Sequence, residues 1–301
     1  MFHGRSDVDE FIAPHSPGDP NTRAGSLRNI QAHYDLGNDF YRLWLDPGMS
    51  YSSALCLAPG ESLELAQCRK YHNVLDQLDV RPGQMILEIG CGWGGFAEIA
   101  VKEYGCRVLG LTLSREQLGW ARARAEQGGW ADGADFELCD YRDVRGSYDH
   151  IVSIEMMEAV GERFWPGYFA QIRDRLKPDG RAVVQTITIA DALFAGYRKG
   201  TDFIQRYIFP GGMLPSPAVF GRHVRRAGLV VRGDLAFGQD YAETLVRWRE
   251  GFEAALPEVR ALGYDERFVR LWRFYLAYCE AGFRAGTVDV HQFQLGHARS
   301  G

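Results

Sequence analysis

Between Met85 and Ala100 the chain reads MILEIGCGWGGFAEIA. A short apolar run carries one acid, Glu88, and glycines then stand at 90, 92, 94 and 95 before an apolar helical pattern begins. Glycine lets backbone pass close to a ligand and take positive φ. Strand, glycine turn and helix in that order open a parallel α/β unit, and the alternation continues. RVLGLTLS, ADFELCDY, YDHIVSIEM and RAVVQTITI read as strands; REQLGWARARAEQGG and FWPGYFAQIRDRLKPDG read as helices. The pattern predicts a doubly wound, mostly parallel sheet with helices on both faces. Such sheets bind ligands beyond the carboxyl ends of their strands.

Residues beyond the loop narrow the choice of ligand. Gly90, Gly92 and Gly95 satisfy the spacing of a dinucleotide loop, but a dinucleotide enzyme wants an acid at the tip of the second strand. That strand ends LTLS, without one. The third ends LCDY, placing Asp140 where it can meet an adenine amine. S-adenosylmethionine fits better. It has no phosphates, and Glu88 can pair with its amine or order the loop.

Composition removes other classes. The net charge of −5 argues against nucleic-acid binding as a bulk property. Six scattered cysteines without a CxxC pair suggest a reducing compartment and no metal site. No apolar run reaches the length of a membrane span, and the charged start, MFHGRSDVDEF, lacks a signal-peptide core. A cytoplasmic chain is expected. Residues 1–26, rich in Pro, Gly and Asp, are expected to form a mobile arm, and 27–80 a helical cap. Residues 81–190 are expected to bind the cofactor, 191–225 to form a lid, and 226–301 to complete the domain.

The sequence resembles the cyclopropane-fatty-acid synthase family of S-adenosylmethionine methyltransferases over about residues 27–295. The likeness rests on HYDLGNDFYRLWLD (33–46), YSSA (51–54), LEIGCGWGG (87–95), LTLSREQ (111–117), IEMMEAVG (154–161), QTITI (185–189), YIFPGGMLPS (207–216), DYAETLVRW (240–248) and AGFRAGTVDVHQF (281–293). It implies a seven-stranded Rossmann-like methyltransferase sheet with an N-terminal helical segment and a helical lid. Carried across residue by residue, the cofactor contacts become Tyr51 and Ser52, then Ile86, Leu87, Glu88, Ile89, Gly90, Cys91, Gly92, Trp93 and Gly94. Thr112, Leu113, Ser114, Arg115, Glu116 and Gln117 come next, with Asp140, Tyr141 and Arg142 around the adenine.

The family's substrate is an unsaturated acyl chain, usually in a membrane phospholipid. Its alkene attacks the sulfonium methyl, and the resulting cation needs aromatic faces and a base. Among the aromatics, the resemblance implies Tyr34, Phe203, Tyr207 and Tyr241 for this role. The family's base is a bound bicarbonate held by a Cys backbone region, a Glu, a His and a Tyr. Glu158 and Tyr241 match the Glu and the Tyr. Ser53 replaces the Cys, and Gln185 replaces the His, as in a subgroup that makes methylene-branched fatty acids. Gln185 can hydrogen-bond an anion but cannot titrate. A cyclopropane ring is the expected product, with a methylene or methyl branch as the alternative. Glu158 read alone could simply cap the helix beginning near Phe164, and Gln185 could be an ordinary strand-end amide. Cys279 matches a cysteine marked in the family as catalytic, although its apolar helix favours an inert thiol.

Arg198, Lys199, Arg206, Arg222, Arg225 and Arg226 supply local positive charge that can meet anionic head groups at the inner face of a membrane, or merely form a solvated face. A homodimer is among the states the sequence allows. The rival readings are a small-molecule methyltransferase on the same fold and a non-catalytic cofactor-binding protein.

Overall fold

The structure, a computed structural model, describes residues 21–34 and 36–298. Helices α1 (Arg23–Tyr34), α2 (Asn38–Tyr41) and α3 (Leu63–Leu78) precede the sheet. The core then alternates through β1 (Met85–Ile89), α4 (Gly95–Lys102), β2 (Arg107–Thr112), α5 (Arg115–Gln127), β3 (Ala134–Leu138), β4 (Tyr148–Ile154), α6 (Trp165–Arg175) and β5 (Leu176–Ile189). Three lid helices come next: α7 (Asp191–Tyr197), α8 (Phe203–Tyr207) and α9 (Pro217–Arg226). The chain closes with β6 (Leu229–Ala236), α10 (Gly238–Ala254), α11 (Leu256–Ala261), α12 (Glu266–Arg284) and β7 (Val288–His297).

The seven strands lie in the order β3-β2-β1-β4-β5-β7-β6. The first five pair in parallel, and β7 runs antiparallel between β5 and β6. Because β1 turns outward to β2 on one side and the chain resumes at β4 on the other, the switch point falls between β1 and β4. A crevice is expected there. The strand β7 escapes a reading of periodicity. His291 and Gln292 are buried within it, so no run of alternating apolar residues marks it.

Ser62 caps α3 by accepting from Leu65 N, and Ser114 caps α5 by accepting from Gln117 N. Opposite the parallel strands, α2, α10 and α12 pack into an aromatic body. Phe40 meets Trp272 edge to face, with centroids 5.0 Å apart, and Trp44 meets Trp248 at 5.7 Å. Such pairs contribute roughly 0.5–1.5 kcal/mol each beyond burial. This body roofs the crevice.

The boundary expected at residue 26 differs from the structure. The helix α1 starts at Arg23, and Asn21 is buried, donating from Nδ2 to Gly211 O at 2.8 Å. Arg23 also pairs with Asp143. These long-range partners, invisible to local composition, hold the segment. Residues 1–20 of the expected arm lie outside the described residues.

Candidate functional site

A cavity of about 690 Å³ opens at the switch point. That volume is within the usual range for small-molecule sites. Its walls come from the ends of β1, β2 and β4, the loop after β3, the lid, and the faces of α10 and α12.

At one end lies the glycine loop. Gly90 takes φ 87°, and a Cβ there would come within 3.0 Å of Met156 Cγ. The backbone can therefore pass between Met156 and the cavity only without a side chain. Glu88 is 3% exposed, yet it lines the cavity, and its Oε2 has no partner among the described residues. Burial holds its carboxyl well above the usual range, opposed by the Lys70 ammonium. An unpartnered buried carboxyl beside a sterically open loop suits a ligand ammonium group. Thr112, Leu113 and Gln117 continue the wall, with the Thr112 hydroxyl donating to Gln117 Oε1 at 2.8 Å.

The loop after β3 is braced from within. Both Asp140 oxygens are held by Arg142, Nε on Oδ1 at 2.8 Å and an Nη on Oδ2 at 2.5 Å. Asp140 thus orders the loop, and Tyr141 and Arg142 join it in lining the cavity. Ile86, Leu87, Gly94, Ser114, Arg115 and Glu116, expected to touch the cofactor, do not line the cavity. Ile86 and Leu87 are packed in the sheet core, and Glu116 faces Asn38.

The other end is organised around a residue the sequence reading passed over. Glu155 directly succeeds β4, with a left-handed φ of 49°. That conformation costs a non-glycine residue roughly 1–2 kcal/mol. It aims the carboxylate into a ring of donors. Ser53 N donates to Oε1 at 2.8 Å, Gln185 Nε2 to the same oxygen at 2.8 Å, and the Tyr241 hydroxyl to Oε2 at 2.5 Å. Ser53 contributes its backbone N–H alone, because its hydroxyl donates to Ala54 O. The loop is positioned by Thr244 Oγ1 and Asp240 Oδ2 of α10, which accept from Ala54 N and Cys56 N.

Glu158 lies apart from this ring. Its carboxylate accepts from Ile187 N at 2.5 Å, and its backbone carbonyl accepts from Met213 N, pinning the lid. It caps no helix. Both acids keep surface open to the cavity but are otherwise enclosed by protein. That enclosure raises the Glu155 carboxyl, while Tyr241, Ser53, Lys70 and Gln185 oppose the rise. Enclosure, followed by the charge of Glu155, pushes Glu158 up to about 8. At neutral pH Glu158 therefore keeps its proton, and the three donors aimed at Glu155 favour its ionised form. Lys70, fully buried on α3, donates to Ser52 Oγ and Gln67 Oε1 and is the nearby cation.

Bicarbonate does not fit this arrangement. The N–H of Ser53, the amide of Gln185 and the hydroxyl of Tyr241 already hold the Glu155 carboxylate, and a second anion would meet its charge. Among the described residues no cluster could hold a metal ion.

The expected substrate residues divide. Tyr241 lines the cavity. Phe203 and Tyr207 do not; Phe203 packs outward on Phe274 at 4.6 Å, while its neighbour Ile204 faces in. Tyr34 ends α1, and its side chain lies outside the described residues. Cys279 lines the cavity with its thiol pushed upward by burial, hence neutral. Tyr51 lines it too, its hydroxyl 2.8 Å from that of Tyr275, a tyrosine not expected here. Asn21 and Ser26 complete the wall from the expected arm.

A family model described as mycolic acid cyclopropane synthetase matches residues 21–293. The tuberculostearic acid methyltransferase of Mycobacterium tuberculosis is 42% identical over 283 residues, covering 91% of this chain and 66% of that protein. The cyclopropane-fatty-acyl-phospholipid synthase of Escherichia coli is 39% identical over 267 residues, covering 86% and 65%. The chain spans about two thirds of the length of these curated relatives. Among solved structures, the mycolic acid cyclopropane synthase CmaA1 complexed with SAH and CTAB matches with a TM-score of 0.84 at 32% identity, covering 89% of this chain and 97% of that one.

Proposed function

The chain belongs to the mycolic acid cyclopropane synthetase family of S-adenosylmethionine-dependent methyltransferases, and from that premise we propose that it methylates the double bond of an unsaturated acyl chain in a phospholipid and closes a cyclopropane ring. The observation that carries the reading is Glu155, a carboxylate in a ring of donors, at the wall of a cavity that also holds the glycine loop.

S-adenosylmethionine supplies an electrophilic methyl group and leaves as a neutral thioether. Glu88, the loop from Ile89 to Trp93, Thr112, Leu113, Gln117 and the Asp140–Arg142 turn would hold it. The alkene π pair forms the new C–C bond and leaves positive charge on the acyl chain. Tyr51, Tyr241 and Tyr275 line the cavity and supply the aromatic surroundings that such a charge favours. The added methyl then gives up a proton, and its C–H pair closes the ring. Glu155 accepts the proton. An ionised carboxylate has about four acceptor sites; two on Oε1 and one on Oε2 are filled, which leaves one on Oε2.

The 42% identity with a tuberculostearic acid methyltransferase favours a second reading. A hydride shift before deprotonation would leave a methylene branch, with the same donor and the same base.

The lipid is reached from a surface beside the lid. Phe274 and Tyr278 on α12 are 52% and 41% exposed and pack with Phe203, and Tyr278 also lines the cavity. Arg198, Lys199 and Arg206 are exposed on the lid segments that flank this patch. Aromatic residues with basic neighbours suit the interface of an anionic bilayer. Among the described residues no helix is long and apolar enough to span one.

The test is to incubate the protein with methyl-labelled donor and vesicles of monounsaturated phospholipid. Gain of one CH2 in the acyl chain supports the reading, and NMR separates ring from branch. Transfer to small molecules with none to lipid would refute it.

A further inference from the structure

We propose that Gln292 is a positioning residue for the proton acceptor: with Asn73 and Gln77 it forms a one-way chain of amides that makes Gln185 offer its –NH2, and not its carbonyl, to Glu155. The proposal rests on Glu155 being the base.

Gln292 sits on β7 opposite Gln185 on β5, and both side chains are fully buried. Its Nε2 donates to Gln185 Oε1 at 2.9 Å. Its Oε1 accepts twice, from Asn73 Nδ2 and Gln77 Nε2, each at 2.6 Å. Asn73 and Gln77 are four residues apart on α3 and share one face. The chain thus runs from α3 through β7 and β5 to Oε1 of Glu155.

A lone amide can exchange its oxygen and nitrogen by turning over, with almost no change of shape. Gln185 alone would therefore be free to show Glu155 either end. Coupled amides lose that freedom, because each must match the next. In the observed sense the terminal group facing Glu155 is a donor, which an ionised carboxylate requires. In the reversed sense Gln185 would present a carbonyl, which only a protonated acid could satisfy. The Glu155 carboxylate, which also accepts from Ser53 N and the Tyr241 hydroxyl, selects the first sense, and Gln292 holds Gln185 in it by donating to Gln185 Oε1. Gln185 thereby supports the base through its orientation, without titrating.

The other groups facing Glu155 are Lys70 from α3, Glu158 beyond β4 and Tyr241 from α10, with Glu88 acting on Lys70. None is bonded to the amide chain, so variants within the chain leave them in place.

The experiment compares pH profiles of kcat/KM for the full chain, its Gln292→Met and Gln185→Met variants, and the double variant. Methionine keeps the volume and removes both donor and acceptor. The acid limb is expected to move upward by about half a pH unit or more in Gln292→Met, with donor affinity by calorimetry unchanged. The double variant should move no further than Gln185→Met alone, since one residue acts through the other. A wild-type acid limb in Gln292→Met, with or without a lowered Tm, overturns the proposal, as do additive shifts. Should Gln292→Met fail to fold, Asn73→Ala combined with Gln77→Ala removes the donors from the half-buried end and carries the same prediction. Glu155→Gln separates the two levels. If it retains turnover, the base reading fails. If it is inactive while Gln292→Met keeps the wild-type profile, only the amide chain fails.

Discussion

The two ends of the cavity are built in different ways. The cofactor end is made of three short local segments: the turn after β1, the tip of β2 and the loop after β3. The end around Glu155 gathers groups from Ser53, Gln185 and Tyr241, with Gln292 and α3 behind them, and separations reach 219 residues between Asn73 and Gln292. Local backbone sites depend on φ and on the absence of a Cβ. Assembled sites depend on which partner each polar atom has found. Substitutions at the first end should therefore alter binding, and those at the second should alter turnover.

The largest expected effect tests the second half of that contrast. Glu155→Gln should lower turnover by about 10²–10⁴-fold, the span usual for a lost general base. Donor affinity measured by calorimetry should stay near wild type. A comparable loss of affinity would erase the distinction between the ends.

Gly90→Ala tests the first half. Its Cβ would meet Met156 at 3.0 Å on a backbone at φ 87°. A strain of roughly 1–2 kcal/mol predicts donor binding weakened by about tenfold. Calorimetry checks this, and unaltered affinity would show that the loop can move without harm.

Glu158→Gln sharpens the contrast through stability. A carboxyl whose folded pKa is raised binds its proton more tightly when folded. Its contribution is therefore fully present at pH below the ordinary 4.5 and lost as pH rises through about 8. The neutral amide cannot suffer that loss. The variant's Tm relative to wild type should climb from pH 5 to pH 9 by a few degrees. A flat difference would mean that Glu158 is already ionised at neutral pH.

Phe274→Ser should have the smallest effect, a several-fold weaker association with anionic vesicles in a sedimentation assay. The donor affinity of the cofactor end should be untouched.

The same contrast explains what the sequence made legible. The glycines after β1, the alternation of strands and helices, and the missing acid after β2 are local signals, and they located the crevice. Glu155 had a signal as well, an acid directly after an apolar strand in IVSIE, but Glu158 three residues later matched the family pattern and drew the assignment. The left-handed φ that turns Glu155 toward Ser53 and Tyr241 cannot be read from periodicity. Strand β7 was hidden because Gln292, a buried amide satisfied by Asn73, Gln77 and Gln185, looks polar until its partners are known. Phe203 and Tyr207 fell in the right segment with the wrong orientation; Ile204 faces the cavity, while Phe203 packs on Phe274 at the surface.

The central claim is that the chain carries its own proton acceptor where a bound anion was expected. The direct measurement is turnover of the unmodified protein in buffer stripped of carbon dioxide, with bicarbonate then added back. Glu155 as base predicts the same rate in both. A rate that collapses on stripping and returns with bicarbonate would contradict it.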